Sequence, residues 1–241
     1  MVVDNASADG SLEFLREAGG GAVEVLASPR NAGYAAAVNR AFAAVGDHDV
    51  LLVNPDVELD TAGGLEAMVR FLRDNPKVGA VGPCLLNADG TVQSSARPFP
   101  SPLAMAGHAS AVGRIRAARR AAHAYLAPPE QDAPARVDWV LGAAMLVRRE
   151  AFESVGGWDE RFFLYLEDTD FCRRLGGAGW QTWYFPAARL RHLHARESGP
   201  AAGGLLRSRA RRAHLRSMLR FFGRYPELIS GRHLSASGGG R

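Results

Sequence analysis

The feature that most constrains the fold is an alternation, through the first third of the chain, of short apolar runs with segments of helical period. Strands are predicted at Val2–Val3, Ala22–Leu26, Asp49–Val53 and Val78–Val81. Helices are predicted between them, from Ser11, from Gly33 through Val45, and from about Thr61 to Asp74. This order predicts an α/β fold, with a mostly parallel sheet and helices on both faces. The 241 residues are enough for one such domain with its own core.

The second half of the chain is less regular. Between Arg97 and Arg136, prolines bracket an Ala/Arg-rich stretch, which predicts a loosely ordered, partly helical insertion. Strands are then predicted at Ala143–Val147 and Trp180–Phe185. We therefore expect a domain over residues 1–200, interrupted at about 97–136, followed over 201–241 by a basic helix and a frayed tail.

Two polar loops follow predicted strands, where open α/β sheets bind their ligands. Asp4 and Asn5 can pair with the edge of a nucleobase, or they can belong to an ordinary β–α turn. In Asn54-Pro55-Asp56, the carboxylate can ligate Mg²⁺ or Mn²⁺. An aspartate after a strand is more often a turn or capping residue, so each loop alone is a weak signal.

Three carboxylates, Glu167, Asp168 and Asp170, follow the apolar run over 162–166. They indicate either a solvated helix start or an acid held beside an apolar wall. Such a wall excludes water and raises the pKa of a carboxyl, which suits a catalytic base. We expect Asp170 to pair instead with Arg173 or Arg174.

Five segments occur in a characteristic order: VVDNASADGS, NAGYAAAVNRAF, LLVNPDVEL, WVLGAAMLVRREAFESVGGWDERFFLYLEDTDFCRRL and FPAARLRHLHARES. On these segments the chain resembles the family-2 glycosyltransferases, specifically their rhamnosyltransferase-like branch. The resemblance implies a GT-A fold with a Rossmann-like sheet. It also implies inverting transfer of a sugar, such as rhamnose or another hexose, from a nucleotide-diphosphate donor to a cell-envelope glycan or lipid-linked acceptor. A divalent cation, Mg²⁺ or Mn²⁺, is the implied cofactor.

The resemblance also implies roles for individual residues. Donor binding is assigned to Asp4, Asn5, Arg30, Asn31, Gly33, Asn54 and Asp56. The metal is assigned to Asp56 and His192, with His194 as an alternative to His192. Because Asn54 occupies the other position that is usually acidic, the expected metal affinity is reduced.

The same resemblance places the chemistry in the block from Trp139 to Leu175. Asp168 is the implied base, and Glu167 either binds a sugar hydroxyl or caps the helix. Trp139 and Gly142 are implied to flank the donor sugar and the acceptor. Trp158 either lines the acceptor side or belongs to the core. We expect Asp168 and Asp56 to face one cleft.

Charge and cysteine usage narrow the surroundings. The formal charge is +4, and the basic residues are arginines apart from Lys77. The helix predicted over 205–222 can present a solvated arginine face or dock on anionic lipid. Nucleic-acid binding is not expected, because no recognition motif accompanies the charge. Cys84 and Cys172 lack a pairing or zinc motif, and no apolar run is long enough to span a membrane, so we expect a cytoplasmic protein, at the inner face of the plasma membrane if the helix docks.

Compared with the family, the chain begins after the first β–α unit, about 30 residues in such folds. We therefore expect either a mis-set start codon or a truncated product, or else a sheet whose neighbouring strands close the gap at the expense of donor binding. One alternative function is an impaired fragment that only binds a nucleotide sugar or a partner. Another is a nucleotidyltransferase, although the Gly- and Arg-rich phosphate loop that it needs is not found in the sequence.

Overall fold

The structure, a computed structural model, describes residues 1–59, 62–106, 116–129, 132–193 and 204–229. The strands are β1 Val2–Asp4, β2 Val25–Ala27, β3 Val50–Val53, β4 Val57–Leu59, β5 Val78–Leu86, β6 Ala96–Arg97, β7 Ala135–Val137, β8 Trp139–Val140, β9 Ala144–Val147 and β10 Gln181–His192. The helices are α1 Ser11–Ala18, α2 Tyr34–Ala44, α3 Ala62–Asp74, α4 Pro102–Ala106, α5 Arg116–Tyr125, α6 Arg149–Ser154, α7 Glu167–Gly177 and α8 Gly204–Arg224, with a short 3-10 helix at Pro226–Leu228. Strands and helices alternate through the first half, as predicted.

The central sheet has the order β3-β9-β5-β10-β4, and β7 also pairs with β10. Strands β5 and β10 are parallel, and β3 has the same direction because both β3 and β5 pair antiparallel with β9. β4 and β7 pair antiparallel with β10. Within the central sheet, β3, β5 and β10 thus share one direction, whereas β4, β7 and β9 are antiparallel to them and make the sheet mixed.

Helices cover both faces of this sheet, as predicted. Every residue of β5 is buried, and alternate side chains enter different core clusters. Ala80 and Cys84 pack with Phe42 of α2 and Phe171 of α7. Val81 packs on the other face with Met68 of α3. Because side chains alternate across a strand, one central strand serves both layers.

β1 and β2 form a separate parallel pair. Within the part of the chain that the structure describes, β1 pairs only with β2, and β3 pairs only with β9. The β1–β2 pair is therefore separate from the central sheet. The carboxyl ends of β1 and β3 lead into the two polar loops singled out above.

Residues 212–224 of α8 pack against the loop that precedes α7. Phe221 of α8 is buried in a cluster with Phe162 and Leu166, and the Ser217 hydroxyl donates a hydrogen bond to the Leu164 carbonyl oxygen at 2.8 Å. The C-terminal helix thus supports the segment that holds the acidic cluster. The tail predicted at Ser235–Arg241 lies outside the described residues.

The predicted insertion, the two cysteines and Lys77 also have defined places in the fold. The described parts of the predicted insertion contain α4 and α5, whose residues contact each other. Cys84 and Cys172 are both free thiols and both buried. No helix among the described residues is both long and apolar enough to cross a bilayer. Lys77 is exposed at the amino end of β5, opposite the edge where the polar loops lie.

Candidate active site

The loops after β1 and β2 are joined by hydrogen bonds. The Asn5 side-chain amide donates to Asn31 Oδ1 at 3.2 Å and to the Gly33 carbonyl at 3.1 Å. Asp4 is buried, and its carboxylate accepts the Ser7 backbone N–H at 3.3 Å. Arg30 is exposed at the rim of this loop. Four of the residues assigned to the donor nucleotide are therefore close together, with Arg30 beside them.

Gly33 lies against Phe163, in the apolar run that precedes Glu167 and Asp168. Its φ is 94°, a conformation that L side chains rarely adopt, and a Cβ here would lie 2.7 Å from the Phe163 carbonyl oxygen. The two backbones can therefore approach only because residue 33 is glycine. The Tyr34 N–H, which is next in the chain, donates to the same carbonyl at 3.4 Å.

Tyr34 lies at the centre of the site, although the sequence analysis did not select it. Its hydroxyl donates to the Gly142 carbonyl at 2.7 Å. Burial raises the pKa of the Tyr34 hydroxyl, and the negative charges of Glu167, Asp168 and Asp56 raise it further. All three carboxylates are therefore near one phenol. Asp168 and Asp56 both act on this phenol, and the expectation that they face one cleft stays a prediction.

Asp168 is buried and surrounded by hydrogen-bond donors. Its Oδ2 accepts the Gly142 N–H at 3.0 Å, and its Oδ1 accepts the Thr169 N–H at 2.7 Å. Burial raises the pKa of this carboxyl, whereas the donors from Gly142 and Thr169 and the positive charge of Arg97 oppose the increase. The ionised form of Asp168 thus has specific partners inside an apolar surrounding.

Glu167 is in a different environment. Its Oε2 is buried and has no hydrogen-bond partner among the described residues. Burial, followed by the charge of Asp168, raises the pKa of the Glu167 carboxyl to about 8. The N-cap residue of helix α7, Leu166, makes no side-chain capping hydrogen bond, and the two roles considered for Glu167 stay predictions. Leu166 at the N-cap has a φ of 67°, and this turn directs both acids inward.

The loop after β3 places Asp56 beside His192 at the end of β10. Asp56 Oδ2 lies 3.3 Å from His192 Nε2, and His192 Nδ1 lies 2.9 Å from Gln93 Oε1. The Asn54 N–H donates to the Ala143 carbonyl at 2.8 Å, which fixes the loop against the start of β9. No third His, Cys, Asp or Glu joins this pair among the described residues. His194 lies outside the described residues.

Asp170 is fully buried in an ion-pair network, and its predicted partnership with Arg174 is confirmed. Arg174 Nε donates to Asp170 Oδ2 at 2.7 Å. Tyr225 and Arg224, at the end of α8, donate to Asp170 Oδ1 at 2.9 and 3.2 Å. Arg173, the other predicted partner, pairs with Glu227 instead. Asp170 therefore connects α7 to the C-terminal helix.

The two tryptophans assigned to the sugar site, Trp139 and Trp158, are both buried. Trp139 donates from Nε1 to the Pro98 carbonyl at 2.9 Å and lies beside Arg97. Trp158 is 2% exposed and stacks on Phe171. A Cβ at Gly142 would lie 3.1 Å from the Trp158 ring. The structure corrects the expectation that Trp158 lines the acceptor side, because this ring supports Gly142 from within the core.

Residues 1–214 match the family described as "Glycosyltransferase like family 2". An N-acetylglucosaminyl-diphospho-decaprenol L-rhamnosyltransferase of Mycobacterium tuberculosis is 35% identical over 210 residues, which are 83% of this chain and 67% of the relative. The rhamnosyltransferase WbbL of Escherichia coli is 39% identical over 88 residues, which are 36% of this chain and 31% of the relative.

Two solved structures are similar in fold. GalNAc-T7 with UDP, GalNAc and Mn²⁺ has a TM-score of 0.57 and 15% identity, and the match covers 95% of this chain and 44% of that one. The mannosyltransferase PcManGT from Pyrobaculum calidifontis, in complex with GDP-Man and Mn²⁺, has a TM-score of 0.52 and 16% identity, and the match covers 100% of this chain and 66% of that one. These likenesses confirm the predicted α/β architecture.

Proposed function

The chain belongs to family 2 of the glycosyltransferases and has a GT-A fold, and from this premise we propose that it is an inverting, rhamnosyltransferase-like enzyme of cell-envelope polysaccharide synthesis. Its donor is a nucleotide diphosphate sugar, such as one carrying rhamnose. Its acceptor is a glycan or a lipid-linked sugar, because the relative from Mycobacterium tuberculosis is named for a lipid diphosphate acceptor.

The observation that supports this proposal most strongly is that Asp168 and the Asp56 loop bind adjacent residues: the Gly142 N–H donates to Asp168, and the Ala143 carbonyl accepts from the Asn54 N–H. Glycosyl transfer needs a base for the acceptor hydroxyl and a site that stabilises the departing diphosphate. Asp168 is suited to the first task and the Asp56 loop to the second. The donor nucleotide lies along Asn5 and Asn31, on the same side as Asp56.

Asp168 acts as the base because its ionised form has the hydrogen-bond donors. Glu167 has no partner for Oε2 among the described residues and holds a proton at neutral pH. The acceptor oxygen attacks the anomeric carbon of the donor sugar, and its proton passes to Asp168. The bond to the diphosphate breaks on the opposite face, and the diphosphate leaves with the electron pair. A single displacement of this kind inverts the anomeric centre.

Asp56 and His192 are the side chains that would hold a divalent cation, Mg²⁺ or Mn²⁺. Asp56 Oδ1 is buried and has no hydrogen-bond partner among the described side chains, so a ligand oxygen is available beside the imidazole. With only one acidic protein ligand, the other positions go to water and diphosphate oxygens. When bound, the cation offsets the charge that develops on the leaving group.

The acceptor side lies near anionic lipid at the inner face of the plasma membrane, with α8 as the docking element. Leu215 and Leu219 of α8 are 57% and 69% exposed, and Arg212 and Arg216 are exposed beside them. An exposed helix face with leucine and arginine at helical spacing is typical of interfacial binding.

The decisive experiment for the proposed transfer replaces the base. Asp168→Asn keeps the shape of the side chain and removes its ability to accept a proton at neutral pH. We expect the transfer rate, measured with Mn²⁺, to fall by about two orders of magnitude or more. Asp74→Asn, at an exposed position of α3, is the matched control and should retain full activity. An unchanged rate in Asp168→Asn would remove the assigned base.

A further inference from the structure

Arg97 is the cation nearest to the base that the proposed reaction leaves without a task. Its guanidinium carbon lies 5.3 Å from the ring centroid of Tyr125 and 5.3 Å from that of Trp139. Its Nε donates to the Ser94 carbonyl at 2.8 Å and to the Ser94 hydroxyl at 3.1 Å. No carboxylate of the described residues lies within ion-pair distance of it. The guanidinium is therefore held by two rings, by Ser94 and by a side-chain hydrogen bond to Tyr125, and its remaining terminal N–H groups can reach a ligand.

The backbone around Gly142 gives the order of the charged groups in the site. Arg97 faces Trp139 in the β6–β8 pair, and Leu141 donates its N–H to Ser95. The Gly142 N–H then donates to Asp168, and the Ala143 carbonyl accepts from the N–H of Asn54, in the loop that holds Asp56. Along residues 139–143, Asp168 thus lies between Arg97 at one end and the Asp56 loop at the other.

The electrostatic contacts give the same order independently. Burial and the negative charges of Asp168 and Asp56 raise the pKa of the Tyr34 hydroxyl, on the donor side. Burial raises the pKa of the Tyr125 hydroxyl, the positive charge of Arg97 lowers it, and the negative charge of Asp168 raises it. Asp168 therefore lies between two sites. On one side is the proposed diphosphate site of the donor, and on the other is Arg97, which lies beside the rings of Tyr125 and Trp139 and has no carboxylate of the described residues within ion-pair distance.

We propose that Arg97 binds a phosphate of the acceptor, so that the site selects acceptors whose sugar is attached to a lipid diphosphate. This inference rests on the proposed function, because it needs Asp168 to face the acceptor hydroxyl. An acceptor sugar lying against Asp168 presents one hydroxyl to the base and its own anomeric substituent to the far side. When that substituent is a diphosphate, the guanidinium is placed to donate to its oxygens.

The test separates acceptor phosphate from donor phosphate. The substitution is Arg97→Gln, which keeps a planar polar head that can still reach Ser94 but removes the charge. The two acceptors are N-acetylglucosaminyl diphosphate on a short prenyl chain and the neutral octyl glycoside of the same sugar. We expect the KM for the diphosphate acceptor to rise about tenfold or more, since hydrogen bonds to charged groups have at least this effect. The KM for the octyl glycoside and for the donor should change by less than about twofold.

Two further variants control this experiment. Arg97→Lys retains the charge and should recover part of the affinity for the diphosphate acceptor. Arg73→Gln, at an exposed position of α3, should leave both acceptors unaffected. An equal rise in KM for both acceptors would overturn the inference, as would a rise confined to the donor.

A binding measurement separates this inference from the proposed transfer. Calorimetry of the prenyl diphosphate acceptor, without donor or metal, needs no turnover. Binding by the natural chain with loss in Arg97→Gln supports the phosphate site even if the transfer assay fails. Equal binding by the two proteins, or no binding by the natural chain, would overturn it.

Discussion

Gly33 shows at the residue scale how a single missing side chain joins two parts of the site. We expect Gly33→Ala to raise the KM for the donor and to lower the free energy of unfolding by about 1–3 kcal/mol, because a Cβ there meets the Phe163 backbone at positive φ. Gly21→Ala is the matched control, because Gly21 also has positive φ but nothing within 4 Å of a Cβ. Donor kinetics and urea denaturation measure the two effects. Equal donor KM values in the two variants would contradict the close approach.

Glu167 makes the stability of the protein depend on pH. Burial and the charge of Asp168 raise the pKa of its carboxyl from 4.5 to about 8 in the folded chain. Between these values the folded state keeps a proton that the unfolded chain has lost, so the free energy of unfolding falls as the pH rises. We expect a smaller decrease in Glu167→Gln, which does not ionise. Urea denaturation at about pH 5 and about pH 8 measures the difference. Glu13→Gln, at an exposed site, should behave like the natural chain.

At the scale of elements, the two faces of α8 have different surroundings. One face holds the loop before α7 through Ser217 and Phe221. The other presents Leu215 and Leu219 to solvent. The helix can therefore contact a surface without losing its support of the acidic segment.

We expect Leu215→Ser/Leu219→Ser to reduce binding to vesicles of anionic lipid, because the exposed apolar area is lost while the arginines remain. Cosedimentation with anionic and zwitterionic vesicles at two salt concentrations measures this, and the binding should weaken with salt. Leu59→Ser, at a position that is 64% exposed in β4, is the control. Unaltered binding by the double variant would assign the contact to another surface.

The elements differ in how well the sequence predicts them, for physical reasons. The helix over 205–222 was predicted closely, because its period is local. The strand predicted at Trp180–Phe185 continues to His192, since it gains partners in β4 and β5 that no local pattern reveals. β6 and β8 have two residues each, too few to show a period.

The same distinction applies to the site. Asp56 and the acid pair stand in recognisable segments, so resemblance could locate them. Tyr34, Gln93 and Arg97 were missed because their significance depends on contacts made across the fold: Tyr34 with Gly142, Gln93 with His192, and Arg97 with Trp139. The NAGY segment contained the tyrosine, but not its partner.

At the scale of the whole molecule, the core on the α3 face is separate from the chemistry. We expect Leu72→Ala to lower the free energy of unfolding by about 2–5 kcal/mol, since Leu72 is 1% exposed and its removal leaves a cavity. The KM values for donor and acceptor should not change at temperatures where the variant is folded. Urea denaturation and kinetics measure the two properties. A large change in KM would mean that the two faces of the sheet are coupled.

Lys77 provides a practical handle on the molecule. It bears the single side-chain amine of the chain and lies at the amino end of β5, whereas Asp56 and His192 follow the carboxyl ends of β3 and β10. An amine-reactive support that couples to the Lys77 side chain, rather than to the α-amino group of Met1, would therefore hold the protein by the side away from the cleft. Molecules tethered in this way share one orientation and open their clefts toward the bulk liquid, as a sensor for sugar transfer requires.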